Sequence, residues 1–271
     1  MGAMDELRTA VDENPVWYHT LELAPGLETP GWFDLRPIAD HLPWPDLRGK
    51  RCLDVATYDG FLAFEMERRG AAEVVATDIS SHEDWDWLPR ERADGLRYLD
   101  QEAGTKGRGF EIAAQALGSS VDRQFVNVYD LRPDRVGVFD VVVCGSLLLH
   151  LRDPFRALHA IRGVCDGVFL SAETIDLWLG LVHRRRAVLH LEAETGRWLI
   201  PNAMGHRRML EAAGFDVMRS VRSFALPFGA GHPPVGQARI DRAKRKLRTF
   251  TIGGAGVPMS ALLARAVTPA T

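Results

Sequence analysis

The sequence is short of cysteine, of long apolar runs and of any excess of one charge, and each shortage excludes something. Three cysteines occur in 271 residues. Cys52, Cys144 and Cys165 sit in or beside apolar runs without metal-ligand spacing. That placement predicts buried free thiols in a reducing compartment. No apolar stretch reaches membrane length and no secretory leader is visible, so the expected location is the cytoplasm, with no membrane partner. A formal net charge of −3 gives no global attraction to nucleic acid or anionic lipid. No internal repeat is visible. Apolar content of 46% and charged content of 25% describe an ordinary globular chain.

Glycine is also short where it would matter most. Residues 51–78 read RCLDVATYDGFLAFEMERRGAAEVVATD. Cys52–Val55 is a short apolar run. Phe61, Leu62, Phe64 and Met66 follow at near-helical spacing, and Arg68-Arg69-Gly70 stands where a helix stops. A second apolar run, Val74–Thr77, ends on Asp78. Strand, turn, helix, strand and acid make a βαβ unit of nucleotide-binding type. A carboxylate ending the second strand is placed to accept both hydroxyls of a ribose. The turn Ala56-Thr57-Tyr58-Asp59-Gly60 keeps one glycine of the G-x-G-x-x-G fingerprint. A pyrophosphate needs closer backbone approach than that allows, so NAD and FAD are not expected.

The stretch resembles motif I of the class I S-adenosylmethionine-dependent methyltransferases, (V/L)LD(V/L)G-x-G-x-G. Leu53-Asp54-Val55 and Gly60 match, and Ala56 and Tyr58 replace the first two glycines. A second segment resembles the same superfamily: Phe139–Gly145 as a fourth strand, running into Ser146-Leu147-Leu148-Leu149-His150-Leu151-Arg152-Asp153-Pro154 before a helix at 155–164. The resemblance implies an α/β fold with a Rossmann-like seven-stranded sheet and helices on both faces. Phe125–Leu131 is then the third strand, Val168–Glu173 the fifth and Phe215–Ser223 the sixth. Met259–Val267 is the seventh, inserted antiparallel between the fifth and sixth. Residues 1–48 read as an N-terminal helical cap or lid, and 49–271 as the cofactor-binding domain, with insertions at about 80–122 and 227–257.

The resemblance implies S-adenosyl-L-methionine as cofactor, held by Asp54, Ala56, Tyr58, Gly60, Asp78, Ile79, Tyr129, Asp130, Gly145 and Ser146. Activity of the EC 2.1.1 class follows. His150, where the fourth strand ends, is the first candidate general base, with a structural role beneath the cofactor as the alternative. Glu173 orients the acceptor or caps the following helix. Tyr18, His19, Trp198 and Asn202 are the candidate contacts to the acceptor substrate. No metal site is identified: the spacing of Asp153, Glu173 and Asp176 defines none.

Trp17-Tyr18-His19-Thr20, LDVATYDGF, LLLHLRDP and the stretch from Trp198 to Phe215 together look like the branch containing the bacterial tRNA wobble-uridine carboxymethyltransferases and their actinobacterial homologues. Where that family has Y-H-R-R-S-P, this chain has Leu149-His150-Leu151-Arg152-Asp153-Pro154. A tyrosine and an arginine are missing, so neither the carboxylated cofactor nor the tRNA substrate is carried over. The expected reaction is O-methylation of a small-molecule acceptor, a sugar or secondary metabolite. The alternative is tRNA modification, for which Arg184–Arg186 and a basic helix at Arg239–Arg248 would supply phosphate contacts. The oligomeric state is left open.

Overall fold

The computed structural model describes residues 2–99, 105–194, 196–233, 248 and 251–267. The helix α1 (Ala3–Glu13), the hairpin β1 (Glu22–Ala24) and β2 (Leu27–Glu28), and a 3-10 turn at Arg36–His41 form the N-terminal segment. The βαβ unit follows as β3 (Arg51–Val55), α2 (Phe61–Arg68) and β4 (Glu73–Asp78). Then come α3 (Arg92–Tyr98), α4 (Arg108–Leu117), β5 (Asp122–Phe125), α5 (Pro133–Val136), β6 (Phe139–Gly145), α6 (Pro154–Val164) and β7 (Cys165–Thr174). The remainder is α7 (Leu177–Val182), the hairpin β8 (Leu189–Glu194) and β9 (Arg197–Pro201), α8 (Ala203–Ala212), β10 (Phe215–Ser220), β11 (Phe224–Leu226) and β12 (Val257–Ala266).

The central sheet runs β10-β12-β7-β6-β3-β4-β5, with β11 attached to β12. β5, β4, β3, β6 and β7 pair in parallel, whereas β12 is antiparallel to both β7 and β10. The sheet carries a hydrophobic cluster on each face, which is why β6 and β7 read as continuous apolar runs. Side chains alternate between the clusters with the strand period. Cys52, Val141, Val143 and Leu263 join α2, α4 and the N-terminal segment, while Leu53, Val142, Cys144 and Leu262 join α6 and α8. Val11, Trp17, Leu21, Leu23, Leu42 and Leu47 belong to the first cluster, so residues 11–47 share their core with the sheet. All three cysteines are buried free thiols. Among the described residues, no helix is long and apolar enough to cross a membrane.

Several boundaries depart from expectation. The third strand is Asp122–Phe125, not Phe125–Leu131, and residues 128–130 form a 3-10 turn. Asn127 sets the break: its side-chain oxygen accepts the Tyr129 N–H at 3.1 Å, a local bond that competes with the extended form. The stretch from Trp178 toward Trp198 holds a short helix and the β8–β9 hairpin. The sixth strand stops at Ser220, and the seventh runs from Val257 to Ala266. The proposed basic helix at 239–248 lies outside the described residues, apart from Arg248.

Candidate active site

The carboxyl ends of β3, β4, β6 and β7 converge on one edge of the sheet, and the loop after β3 is its centre. Ala56, Tyr58 and Gly60 have φ of 61°, 49° and 92°. These are the three positions of the motif's glycines, so the left-handed turns persist although two glycines are gone. Each non-glycine residue held there costs about 1–2 kcal/mol. Local bonds hold the loop: Thr57 N–H to Thr77 O at 3.0 Å, Gly60 N–H to Thr57 O at 2.9 Å, and Tyr58 N–H to Asp78 Oδ2 at 3.1 Å. Gly60 cannot be replaced as Ala56 and Tyr58 have been. A Cβ there would sit 2.5 Å from the Phe64 ring and 2.8 Å from that of Phe110.

Asp78 is buried at the end of β4. Its Oδ1 accepts the Ile79 N–H at 2.8 Å, and its Oδ2 takes Lys106 Nζ at 2.5 Å in addition to Tyr58 N–H. Lys106 also lies 4.4 Å over the Tyr58 ring. Nothing in its surroundings in the sequence announced this lysine. Asp54 is buried within β3, and burial pushes its carboxyl up to about 7, with Thr57 and the Ala63 amide opposing. Thr57 is near enough to exert that pull, yet neither Asp54 Oδ2 nor Thr57 Oγ1 completes a well-formed hydrogen bond.

Asp59, not anticipated from the sequence, ties the N-terminal segment to this loop. Its Oδ2 accepts the backbone N–H groups of Tyr18 at 2.5 Å and His19 at 3.0 Å. Burial raises Asp59 to about 7 against the pull of those two N–H groups. Tyr18 stacks obliquely on Tyr58 with ring centroids 5.1 Å apart, and also meets Trp32 and Phe33. Burial, then the charges of Glu173 and Asp59, hold the Tyr18 phenol far above its ordinary range. His19 is buried, pushed down to about 3 by desolvation, and its Nδ1 has no hydrogen-bond partner.

After β6, Ser146 takes φ of 53° and donates its N–H to Ala172 O at 2.9 Å. Gly145 packs at the same point, where an added Cβ would come within 3.1 Å of Leu62. Glu173 is buried at the end of β7. Its two oxygens accept the N–H groups of Leu147 at 3.3 Å and Leu148 at 3.2 Å. It therefore caps the 3-10 turn Leu148–His150, while the helix that follows β7 is capped by Asp176. Desolvation raises Glu173 to about 8. His150 is exposed and hydrogen-bonds the Gly196 carbonyl through Nδ1 at 2.7 Å. A carbonyl only accepts, so Nδ1 carries the proton and Nε2 the lone pair in the neutral ring. Desolvation by neighbouring chain lowers the His150 pKa, and the bond to Gly196 opposes it.

The remaining expected site residues gather elsewhere. Tyr129 donates its hydroxyl to Asp86, which also accepts the Arg152 N–H at 2.8 Å through its carboxylate and the Trp198 Nε1–H at 2.7 Å through its carbonyl. Asp86 thus joins the segment after β4, the turn after β5, the segment after β6 and the β8–β9 hairpin. Asp130 is half-exposed beside Arg135, 3.4 Å away. Asn202 is buried and fully used: Oδ1 accepts from Val188 N and Gly205 N, and Nδ2 donates to the carbonyls of Arg186 and His183. Asp153 caps α6 through the Arg156 N–H. Among the described residues, no three His, Cys, Asp or Glu side chains form a metal-holding group.

No family model matches the chain. An alignment 137 positions long, taking in 49% of the chain, is 28% identical to the tRNA U34 carboxymethyltransferase of Campylobacter hominis and covers 40% of that protein. An alignment 129 positions long, taking in 46% of the chain, is 30% identical to the ubiquinone biosynthesis O-methyltransferase of Neisseria meningitidis and covers 45% of it. The chain thus spans less than half the length of these curated relatives. Among solved structures, the N-terminal domain of EvdMO1 with SAH bound superposes at a TM-score of 0.58 and 15% identity, over 98% of each chain. The 1,6-didemethyltoxoflavin-N1-methyltransferase of Burkholderia thailandensis superposes at 0.51 and 19% identity, over 86% of this chain and 78% of that one.

The fold is that of the class I methyltransferases. Asp54, Asp78 and Gly145 lie at the carboxyl ends of adjacent parallel strands and the Ala56–Gly60 loop just beyond them, where open α/β sheets bind ligands.

Proposed function

We propose that the protein transfers a methyl group from S-adenosylmethionine to an oxygen of a small molecule, a sugar or secondary metabolite. The observation that carries the reading is the loop: left-handed residues at 56, 58 and 60, tied through the Tyr58 N–H to a buried acid ending the next strand. The residues present fit the cofactor. Asp78 offers a buried carboxylate for the ribose hydroxyls. Asp54 and Thr57 keep buried polar atoms without partners beside the loop. Ile79, Gly145 and Ser146 complete the rim.

When bound, the cofactor supplies an electrophilic methyl on a sulfonium. The chain supplies position, which is worth about 7–11 kcal/mol in well-oriented systems. His150 is the base: its neutral ring, with Nδ1 fixed on Gly196, leaves Nε2 to take the acceptor's proton. Glu173 positions the turn that carries His150. Trp198 and Asn202 fix the hairpin and the start of α8 that wall the acceptor side. Tyr18 and His19, fastened to Asp59, close the N-terminal side.

Support for a small acceptor comes from the net charge of −3 and from the EvdMO1 domain, crystallised with SAH and D-fucose and matching 98% of the chain. The second reading, tRNA modification, draws on the carboxymethyltransferase relative and on Arg184–Arg186, all exposed between α7 and β8. Titration calorimetry with S-adenosylmethionine, with and without total tRNA, separates them. Cofactor binding indifferent to tRNA, with methyl transfer to members of a sugar and metabolite panel, is expected. Salt-sensitive tRNA binding would move the assignment to the second reading, and a protein that binds no cofactor would end both.

A further inference from the structure

Lys106 occupies the acid that the preceding reading gives to the ribose. Its Nζ is 2.5 Å from Asp78 Oδ2, and the side chains are 5% and 7% exposed. An ionised carboxylate has about four lone-pair sites. On Asp78 the Ile79 N–H takes one on Oδ1, and the Tyr58 N–H and Lys106 take two on Oδ2. One acceptor site remains, and a ribose diol needs two. The two backbone donors are fixed in the main chain, one in the loop and one next to Asp78 itself, so Lys106 is the only one of the three that can leave.

We propose that Lys106 is a resident competitor of the cofactor ribose, holding Asp78 in the protein alone and yielding it when the cofactor binds. The proposal rests on Asp78 being the ribose acceptor. The lysine has a destination. Asp59 and Lys106 line one small void together with Asn14, Tyr58 and His82, and the lysine's charge already favours the ionised form of Asp59. Transfer from one buried carboxylate to another keeps the ammonium paired throughout, which avoids the cost of an isolated buried charge. Its position over the Tyr58 ring lets the ammonium move along one aromatic face between the two acids. Such a competitor reduces apparent cofactor affinity by the fraction of molecules in which Asp78 is free.

Two measurements test this. The first uses the unaltered protein: a crystal structure with S-adenosylhomocysteine, in which Lys106 Nζ should lie within hydrogen-bond distance of an Asp59 oxygen and no longer of Asp78. The second is calorimetry of Lys106→Met with S-adenosylhomocysteine. Removing the competitor should tighten binding by roughly tenfold or more, as expected when the competent state is a minor one. A complex in which Lys106 still pairs with Asp78, or a Lys106→Met protein that binds equally or more weakly, overturns the proposal. Asp78→Asn separates the two layers. If it weakens binding while Lys106→Met does nothing, the ribose reading stands and the competitor falls. If Asp78→Asn binds like the unaltered protein, both fall. Should Lys106→Met fail to fold, the structure of the complex decides alone.

Discussion

The backbone N–H of Tyr58 lies 3.1 Å from Asp78 Oδ2, so the loop that follows β3 is fastened to the acid that ends β4. One bond thereby sets both the left-handed loop and the orientation of the carboxylate beside it. Asp78→Asn keeps an acceptor oxygen but loses the charge. It should weaken S-adenosylmethionine binding about 10- to 100-fold, since hydrogen bonds to charged groups contribute about 1.5–3 kcal/mol. Calorimetry reads this directly.

Ala56→Gly should stabilise the protein. Ala56 holds φ of 61°, a conformation that glycine adopts freely. Relief of about 1–2 kcal/mol of steric cost, less the greater entropy glycine has in the unfolded chain, leaves a gain of about 0.5–1 kcal/mol. Urea denaturation should show a higher midpoint with an unchanged slope. A lower midpoint would mean that the loop gains nothing from a glycine at this position. Tyr58→Gly offers no such gain, because it also removes the ring that meets Tyr18 and Lys106.

Stability should fall between about pH 6.5 and 8. Burial raises Asp54 and Asp59 from 3.8 to about 7 and Glu173 from 4.5 to about 8. All three bind their protons more tightly in the folded chain, so their contribution is full below the unfolded values and is lost as pH rises through the folded ones. His19 and His206, each lowered from 6.5 to about 3, act in the opposite sense, and their contribution is lost as pH falls from 6.5. The two histidines offset the three acids only in part on the acid side and leave the acids alone above 6.5. The slope there reaches at most about 1.4 kcal/mol per pH unit for each group. Glu173→Gln, whose amide oxygen can still accept one of the Leu147 and Leu148 N–H groups, should flatten the fall. A stability that climbs from pH 6.5 to 8 would contradict this account.

His150→Ala should lower kcat by about 10²- to 10⁴-fold, the range for a general base. It should also erase the acidic limb of the pH–rate profile and leave cofactor affinity nearly unchanged. The same substitution removes the bond to Gly196, so hydrogen exchange across residues 189–201 distinguishes the roles. Faster exchange with turnover intact would make His150 a hairpin support and no more.

Much of this architecture is legible in the sequence because the inner strands are buried on both faces and must be apolar throughout. Val141–Cys144 and Phe169–Ala172 admit few other readings. β5 is different. It lies at the edge of the sheet, and Asp122, Arg123 and Gln124 carry none of the alternation that marks an inner strand. The β8–β9 hairpin is hidden for a similar reason, with Leu189 and Leu191 exposed among charged neighbours. At the site, Asp54, Asp78 and Gly60 are visible through spacing alone. Lys106 and Asp59 are not, since what matters is a contact across 28 residues in one case and about 40 in the other. Ala56 and Tyr58 hide their backbone conformation altogether, because neither residue type announces a left-handed turn.

The antiparallel strand β12 has a consequence for synthesis. Val257–Ala266 stands between β7 and β10, so β10 has no partner in the sheet until residue 266 has been made. Meanwhile the β7 edge, with the apolar run Val168–Leu170 at its centre, stays open beside a nascent chain that already contains the β8–β9 hairpin and the unpaired β10. An open apolar edge recruits strands indiscriminately. Correct assembly therefore depends on that edge being shielded on the ribosome until its proper neighbour emerges, and a chain interrupted shortly before residue 257 would be expected to aggregate through β7.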